Sequence, residues 1–328
     1  MAARIGLGLI GAGKHGVRYA NHVAKDFPQL RLAALSRRDA EAGAALARDV
    51  GARFHADWRA LVADPDVAAV VVVVPPTLHR EIAEATAAAG KALLIEKPLA
   101  TTGDDAAAIV RAMRTAAVPC LMAHTLRWNV VARAVRDLLP TLGPLRALGL
   151  NQRFEISSLD WLDRPEISGG GMLLHTGVHS FDLVRFLTGR EVARVTCRTA
   201  RVATERTEDN FVAILELEGS AALVTVSGCR ATAGRSGLLD AACAEGQVVA
   251  DHQLHWAYRV RGLERTPIDL PPPAFTVREV VATFEGLLRR GETPPVGLED
   301  GARAVEVAEA CRAAAAGGGT VDVVRRSF

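Results

Sequence analysis

The stretch "RIGLGLIGAGKHG", Arg4 to Gly16, decides how the first third of the chain is read. An apolar run leads into Gly11, Gly13 and Gly16, a G-x-G-x-x-G, and "GVRYANHVAKDF" then has helical spacing. Alone the pattern is weak. It gains weight where it follows a strand, opens a helix and begins a strand–helix–strand unit. Glycines there let the backbone turn tightly and approach a pyrophosphate, and the helix N-terminus offers free N–H groups and a favourable dipole. Gly11, Gly13, Lys14, His15 and Gly16 are therefore candidate cofactor-binding residues.

The same alternation continues outward. "LRLAALSRR", "VAAVVVVVP", "KALLIEKP" and "VPCLMAHTLRWN" read as strands. "DAEAGAALARDVG", "LHREIAEATAAAG" and "TTGDDAAAIVRAMRTAA" read as the helices between them, the last opened by Thr/Asp caps. Continuous apolar strands between helices predict a doubly wound parallel sheet covered on both faces. After about Leu145 the texture changes. "RVTCRTARVAT", "NFVAILELEGSAALVTVSG", "SGLLDAACAEGQVVAD" and "QLHWAYRVRG" are strand-like runs joined by short turns, one through Gly219. They predict a large, mostly antiparallel open sheet, with a helix over "GGGMLLHTGVHSFDLVRFLTG" inserted before it. Two more helices are expected near Arg278–Arg290 and Glu299–Ala315, and Gly317–Gly319 reads as a turn or flexible tail. The fold class is thus a Rossmann domain over residues 1–123 and an α+β domain over residues 124–328 that binds substrate and carries oligomerisation.

Composition excludes several partners. The formal net charge is +2 with both signs spread along the chain, so neither a nucleic-acid patch nor an anionic-membrane anchor is expected. The apolar start leads into a glycine turn with no cleavage signature, and "VAAVVVVVPP" is too short to span a bilayer. Cys120, Cys197, Cys229, Cys243 and Cys311 are odd in number and scattered, as reduced thiols in a cytoplasmic protein are.

The end of the second strand discriminates between dinucleotides. An acid about 20 residues beyond the third glycine would hold the ribose hydroxyl of NAD. Here Ser36, Arg37 and Arg38 stand in that region, and Asp39 reads as the cap of the following helix. A guanidinium pairs bidentately with a 2′-phosphate. NADP(H) is the preferred cofactor on this reading, with NAD(H) possible. Pro75, Thr77 and His79 in "PPTLH" and Glu96 and Lys97 in "IEKPLA" fall at or just beyond strand ends on the same edge, where such sheets bind ligands.

His175 and His179 lie four residues apart in "GGGMLLHTGVHSFD", with Asp182 three residues later. On a helix, residues four apart share a face. Thr176 follows His175 where a metalloprotease helix needs Glu, and no compact Cys/His cluster offers further ligands, so no metal is expected.

Taken together, "GLIGAGKHG", "PPTLH", "EKPLA", "RWN" and "GGGMLLHTGVHSFD" occur in an order that resembles the glucose–fructose oxidoreductase / inositol dehydrogenase / MocA family over nearly the whole chain. The resemblance implies hydride transfer between a nicotinamide and a carbinol or carbonyl of a sugar, cyclitol or related polyol. It implies that Lys97 is catalytic, that His179 matches the family's histidine, and that His175 stands where the family has an aspartate. Asp182 matches a second aspartate, taken as structural. The resemblance also implies that Arg127 and Trp128 of "LRWN" lie near the nicotinamide and substrate; a helix entry that packs between the domains is the equal alternative for that loop. Either Lys97 or His179 can serve as the base that oxidation of a hydroxyl requires. Trp161 is expected to stack on a sugar face and Asp163 to bind hydroxyls. Two alternatives accompany this reading: an NAD-dependent glycosidase working by transient internal oxidation, and a non-catalytic cofactor-binding regulator. The alternating "AALVTVSG" points to a homodimer or homotetramer formed through the C-terminal sheet.

Overall fold

The computed structural model describes residues 4–328; Met1–Ala3, read as leading straight into the first strand, lie outside the described residues. The first part is a sheet of six parallel strands: β1 (Ile5–Ile10), β2 (Leu30–Ser36), β3 (Arg53–His55), β4 (Ala69–Val72), β5 (Ala92–Glu96) and β6 (Cys120–Ala123). Their order is β3-β2-β1-β4-β5-β6, so the chain reverses direction across the sheet between β1 and β4. Every residue of β4 and β5 is buried, which is why these strands are apolar at successive positions rather than alternate ones. The helices are α1 (Gly16–Asp26), α2 (Ala40–Val50), α3 (Trp58–Ala63), α4 (His79–Ala88) and α5 (Gly103–Ala116). Asp39 caps α2 by accepting from the Ala42 amide, as its place before an alanine-rich run predicts. Two short elements, β3 of three residues and α3 of six, were not visible in the sequence pattern, because neither is long enough to repeat its period twice.

Helix α6 (Val130–Leu138) leads to the second sheet, of nine strands. These are β7 (Leu145–Glu155), β8 (Val192–Ala200), β9 (Asn210–Leu217), β10 (Leu223–Thr232), β11 (Ser236–Cys243), β12 (Gly246–Asp251), β13 (Trp256–Arg261), β14 (Glu264–Pro267) and β15 (Thr320–Asp322), in the order β14-β13-β12-β11-β7-β10-β9-β8-β15. Only β7 and β10 pair in parallel. Of the two readings of Gly317–Gly319 the turn is the one seen: Gly318 and Gly319 have positive φ, and Thr320–Asp322 beyond them adds an edge to β8. The short α7 (Pro165–Ser168) packs against the turn after β4, and one face of the nine-stranded sheet is covered by α6, by α8 (Val178–Thr188) and by the late helix α10 (Leu298–Gly317). The alternation of β9, buried at every second residue, is the mark of that one-sided burial.

The two sheets do not divide the chain cleanly at residue 123. Helix α9 (Thr276–Arg290) returns to pack Val280, Val281 and Phe284 into the core of the parallel sheet. Along α10, Leu298, Ala302 and Val305 enter that core, and Ala304, Val307, Ala308 and Cys311 enter the other. One helix therefore belongs to both cores. No helix among the described residues is long and apolar enough to cross a membrane.

A buried ionic cluster reinforces this junction. Arg127, in the turn after β6, grips Asp182 of α8 with Nε at 2.9 Å and Nη2 at 2.6 Å, and also lies 2.9 Å from Asp300 of α10. Arg185 donates to Asp300 at 2.7 Å. Asp182 is 1% exposed, so removal of Arg127 leaves a carboxylate in a place water does not reach. Arg185, 3.9 Å from Asp182, replaces the lost charge only in part. Arg127→Ala is expected to lower the unfolding free energy by about 3 kcal/mol, as breaking a buried pair does. Urea unfolding checks this; a loss below about 1 kcal/mol would class the cluster with ordinary surface pairs.

Candidate active site

The glycine turn lies where β1 gives way to α1. Gly11 has φ of +95°, and a Cβ there would sit 2.1 Å from the Val73 carbonyl oxygen. A Cβ on Gly16 would sit 2.2 Å from the Gly11 oxygen, whereas one on Gly13 would meet nothing within 4 Å. The turn is closed toward the sheet and open outward, and no side chain caps the N-terminus of α1. That is a cradle fitted to a dinucleotide pyrophosphate. Both Gly11 and Ala12 donate to the carbonyl of Ser36, which ties the turn to the end of β2 where Arg37 and Arg38 follow.

Glu96 and Lys97 end β5 on the same edge. Glu96 is buried, and its Oε1 accepts from Tyr19 at 2.7 Å and meets His15 Nε2 at 2.8 Å, while Oε2 accepts the Lys97 amide at 3.1 Å. Burial alone would raise its carboxyl; the His15 hydrogen bond and charge, the Lys97 charge and the Tyr19 hydroxyl override that and hold it down at about 2. Lys97 turns the other way. Its Nζ donates to the carbonyl of His175 at 2.9 Å. Burial pushes the lysine down, the Glu96 charge opposes this, and the charge of Arg230 adds to it.

Across from Lys97, residues Leu173–Gly177 form a π-helical turn that runs into α8. Such turns are frequent at functional sites. Its start is capped from a distance: Glu208 Oε1 accepts the amides of Gly171 and Leu173, and the Glu208 carbonyl accepts Met172. His175 is buried and donates from Nε2 to the Ser168 carbonyl at 3.0 Å. This fixes Nδ1 as the acceptor of a neutral ring. Burial, with the charges of Lys97 and Arg230, takes its pKa down to about 3. Trp161 stands edge-on to it, with ring centroids 5.4 Å apart. His179 is likewise held neutral, by burial first and the Lys97 charge second. Its Nδ1 is buried without a hydrogen-bond partner, and its ring meets that of His124 at 6.0 Å.

Several residues expected at the site are occupied elsewhere. Both ring nitrogens of His79 meet backbone carbonyls, Nδ1 with Leu99 at 3.1 Å and Nε2 with Val74 at 3.0 Å, so the ring is a strut between strand ends and not a cofactor ligand. Arg127 is held in its ionic cluster, and the Trp128 indole donates to Thr283 of α9 at 3.0 Å; neither is free for a cofactor. Asn129 beside them caps α6 through the Val131 and Ala132 amides. Asp163 accepts the amides of Glu205, Arg206 and Thr207, which leaves its carboxylate a loop anchor and not a hydroxyl ligand. Thr77 donates to the Ile167 carbonyl at 3.1 Å, and Pro75 opens the turn that carries it.

Two pocket residues escaped the sequence analysis. His124 directly precedes "TLRWN" and is 1% exposed, with both ring nitrogens unpartnered. Arg230 shares the inward phase of β10 with Val224, Val226 and Gly228. A cation in phase with buried residues was the signal that could have found it.

Residues 5–124 match the model of an oxidoreductase family with an NAD-binding Rossmann fold, and residues 141–249 match the GFO/IDH/MocA C-terminal domain. An inositol 2-dehydrogenase of Saccharopolyspora erythraea is 28% identical over 97% of this chain and 95% of its own length. A 1,5-anhydro-D-fructose reductase of Ensifer adhaerens is 38% identical over 53% of this chain and 54% of its own length. A levoglucosan dehydrogenase solved with NADH and L-sorbose superposes with a TM-score of 0.89 over 99% of this chain and 100% of its own, at 22% identity, which shows the shared fold. With a dinucleotide cradle at one end of its parallel sheet and a one-sided antiparallel sheet behind it, the chain belongs to the GFO/IDH/MocA family of oxidoreductases.

Proposed function

We propose that the protein moves hydride between a nicotinamide dinucleotide and a secondary alcohol or ketone on a sugar, cyclitol or related polyol. The observation that carries this is Lys97, a buried amine at the edge of the parallel sheet whose Nζ reaches the turn bearing His175 and His179. Gly11, Gly13, Lys14, His15 and Gly16 hold the dinucleotide, which when bound supplies the hydride acceptor or donor. Lys97 takes the hydroxyl proton, since burial already biases it toward the neutral amine. His179 and the free Nδ1 of His175 orient the substrate by hydrogen bonds, and Trp161 walls the pocket. The inositol dehydrogenase and anhydrofructose reductase among the relatives support this substrate class. Lys97→Ala is expected to lower kcat about 10²–10⁴-fold, the usual contribution of a positioned acid–base. Steady-state turnover of a polyol substrate checks it, and an unchanged kcat would remove Lys97 from the chemistry.

NADP(H) is the preferred cofactor, with NAD(H) possible. No carboxylate is free at the end of β2, because Asp39 is engaged in capping α2. Arg37 has only Asp39 as an ionic neighbour, at 3.7 Å, and Arg38 is exposed. A 2′-phosphate is matched by this pair of guanidiniums. Calorimetric titration is expected to show NADP⁺ binding more tightly than NAD⁺, with Arg37→Ala removing about tenfold or more of that advantage. Tighter binding of NAD⁺ would overturn the assignment.

The open face of the nine-stranded sheet exposes Val212, Ile214, Leu223 and Leu238. Val212 and Ile214 stand at alternate positions of β9 across from Ser227 and Thr225 of β10, so the face mixes exposed apolar side chains with hydroxyls. A second copy of this face is the natural cover, giving a homodimer or homotetramer. Light scattering on the eluting protein should give a multiple of the chain mass, reduced in Val212→Asp/Ile214→Asp. A monomeric wild-type protein would refute this.

A further inference from the structure

Beside Lys97 stands a second, half-buried cation without an ion-pair partner among the described residues. Arg230 ends the inward row of β10, and its guanidinium makes one side-chain hydrogen bond, from Nη2 to the Thr176 hydroxyl at 2.7 Å. Among the described residues no carboxylate lies within ion-pair distance of it. The acids nearest in sequence are already occupied: Glu208 by the Gly171 and Leu173 amides, Asp209 by those of Val202, Ala203 and Thr204. Lys97 bonds the carbonyl of His175, the residue next to Thr176. Two cations therefore converge on consecutive residues of one turn. Glu96, the carboxylate adjacent to Lys97, faces His15 and Tyr19 instead. Where the family pattern calls for an aspartate, the neutral ring of His175 contributes no negative charge. Glu96, Glu208 and Asp209 reach the pair only as neighbouring charges, none of them within ion-pair distance among the described residues, and a half-buried cation without a close partner is costly.

We propose that Arg230 is a substrate-binding residue and that the substrate is a sugar or cyclitol derivative carrying an anionic group, a carboxylate or a phosphoryl. This rests on the polyol-dehydrogenase reading above and narrows it. Several donors of the Arg230 fork are free, and a planar guanidinium engages two oxygens of such a group at once. The charge of Lys97 next to it favours the same occupant. The neutral acceptor at His175 favours it too, since an aspartate there would repel an anion that a histidine does not.

The test is calorimetric titration of the NAD(P)H-loaded protein with paired ligands: hexuronates and aldonates, sugar and inositol phosphates, and their neutral counterparts. The same pairs are assayed for dinucleotide-linked turnover. At least one acidic ligand is expected to bind about tenfold or more tightly than its neutral partner, the range for a hydrogen-bonded charge. The carboxylate and phosphate arms tell the two anions apart. Arg230→Gln should bring the ratio to about one while dinucleotide affinity is kept, and Arg230→Lys should retain part of it. If the Gln variant no longer holds dinucleotide, the Lys variant carries the comparison. Neutral sugars bound and oxidised as well as acidic ones, or an acidic preference that survives Arg230→Gln, would overturn the anion site and leave the dehydrogenase reading standing. Acidic ligands bound through Arg230 but turned over by no form of the enzyme would keep the anion site and sink the dehydrogenase reading. No binding in either series would sink both.

Discussion

The hydrogen bond from Lys97 Nζ to the His175 carbonyl joins the two halves of the molecule at the point where chemistry is expected. Its geometry depends on the residue before it. Glu96 is a buried carboxylate, and burial is tolerable only because His15, Tyr19 and the Lys97 amide all meet its oxygens. Two of those three groups stand on or just before α1, immediately after the glycine turn. One dipeptide thus fixes the first helix to the sheet on one side and the π-helical turn to the sheet on the other. Small displacements of α1 or of the turn cannot occur independently of Lys97, so the glycine turn and the π-helical turn are held in one frame.

The charge of that frame turns on His175. Its ring is neutral, and its Nε2–H is committed to the Ser168 carbonyl. The ring offers a single lone pair where a carboxylate would offer several and a full charge. Lys97 accordingly bonds the backbone of residue 175 rather than its side chain. Holding an amine with a carbonyl instead of a carboxylate leaves it easier to deprotonate. A neutral residue at 175 therefore bears on the basicity of Lys97 and on the local charge together.

Much of this was legible in the sequence because it depends on local pattern. Continuous apolar runs marked β1, β4 and β5, alternation marked β9 and β10, and the glycine turn and the Asp39 cap follow from stereochemistry within a few residues. What was not legible depends on long-range partners. His79 looks like a ligand until Leu99 and Val74 are seen to occupy it; Arg127 looks available until Asp182 and Asp300 arrive from helices far along the chain. Asp163 is taken by a loop forty-odd residues away. The return of α9 into the first core has no local signature either. Nor has the π-helical turn: four-residue spacing put His175 and His179 on one helical face, but the extra residue in the turn lets one ring reach back to Ser168 and the other face His124.

Burial acts on both bases of the pocket in the same direction, and this separates their roles. For a lysine, loss of charge moves the amine toward the neutral form that accepts a proton; for a histidine already neutral near pH 7, it moves the imidazolium further out of reach. His179 gains nothing as a base by being made still less basic. Its buried, unpartnered Nδ1 instead suits it to hold a hydroxyl or an ordered water in one orientation. Lys97 can exchange a proton without creating a charge that the pocket must newly solvate, because its ammonium form already has Glu96 beside it. One cause thus has opposite consequences: the low-dielectric setting that keeps the histidines neutral and poorly basic also biases the lysine toward its proton-accepting form.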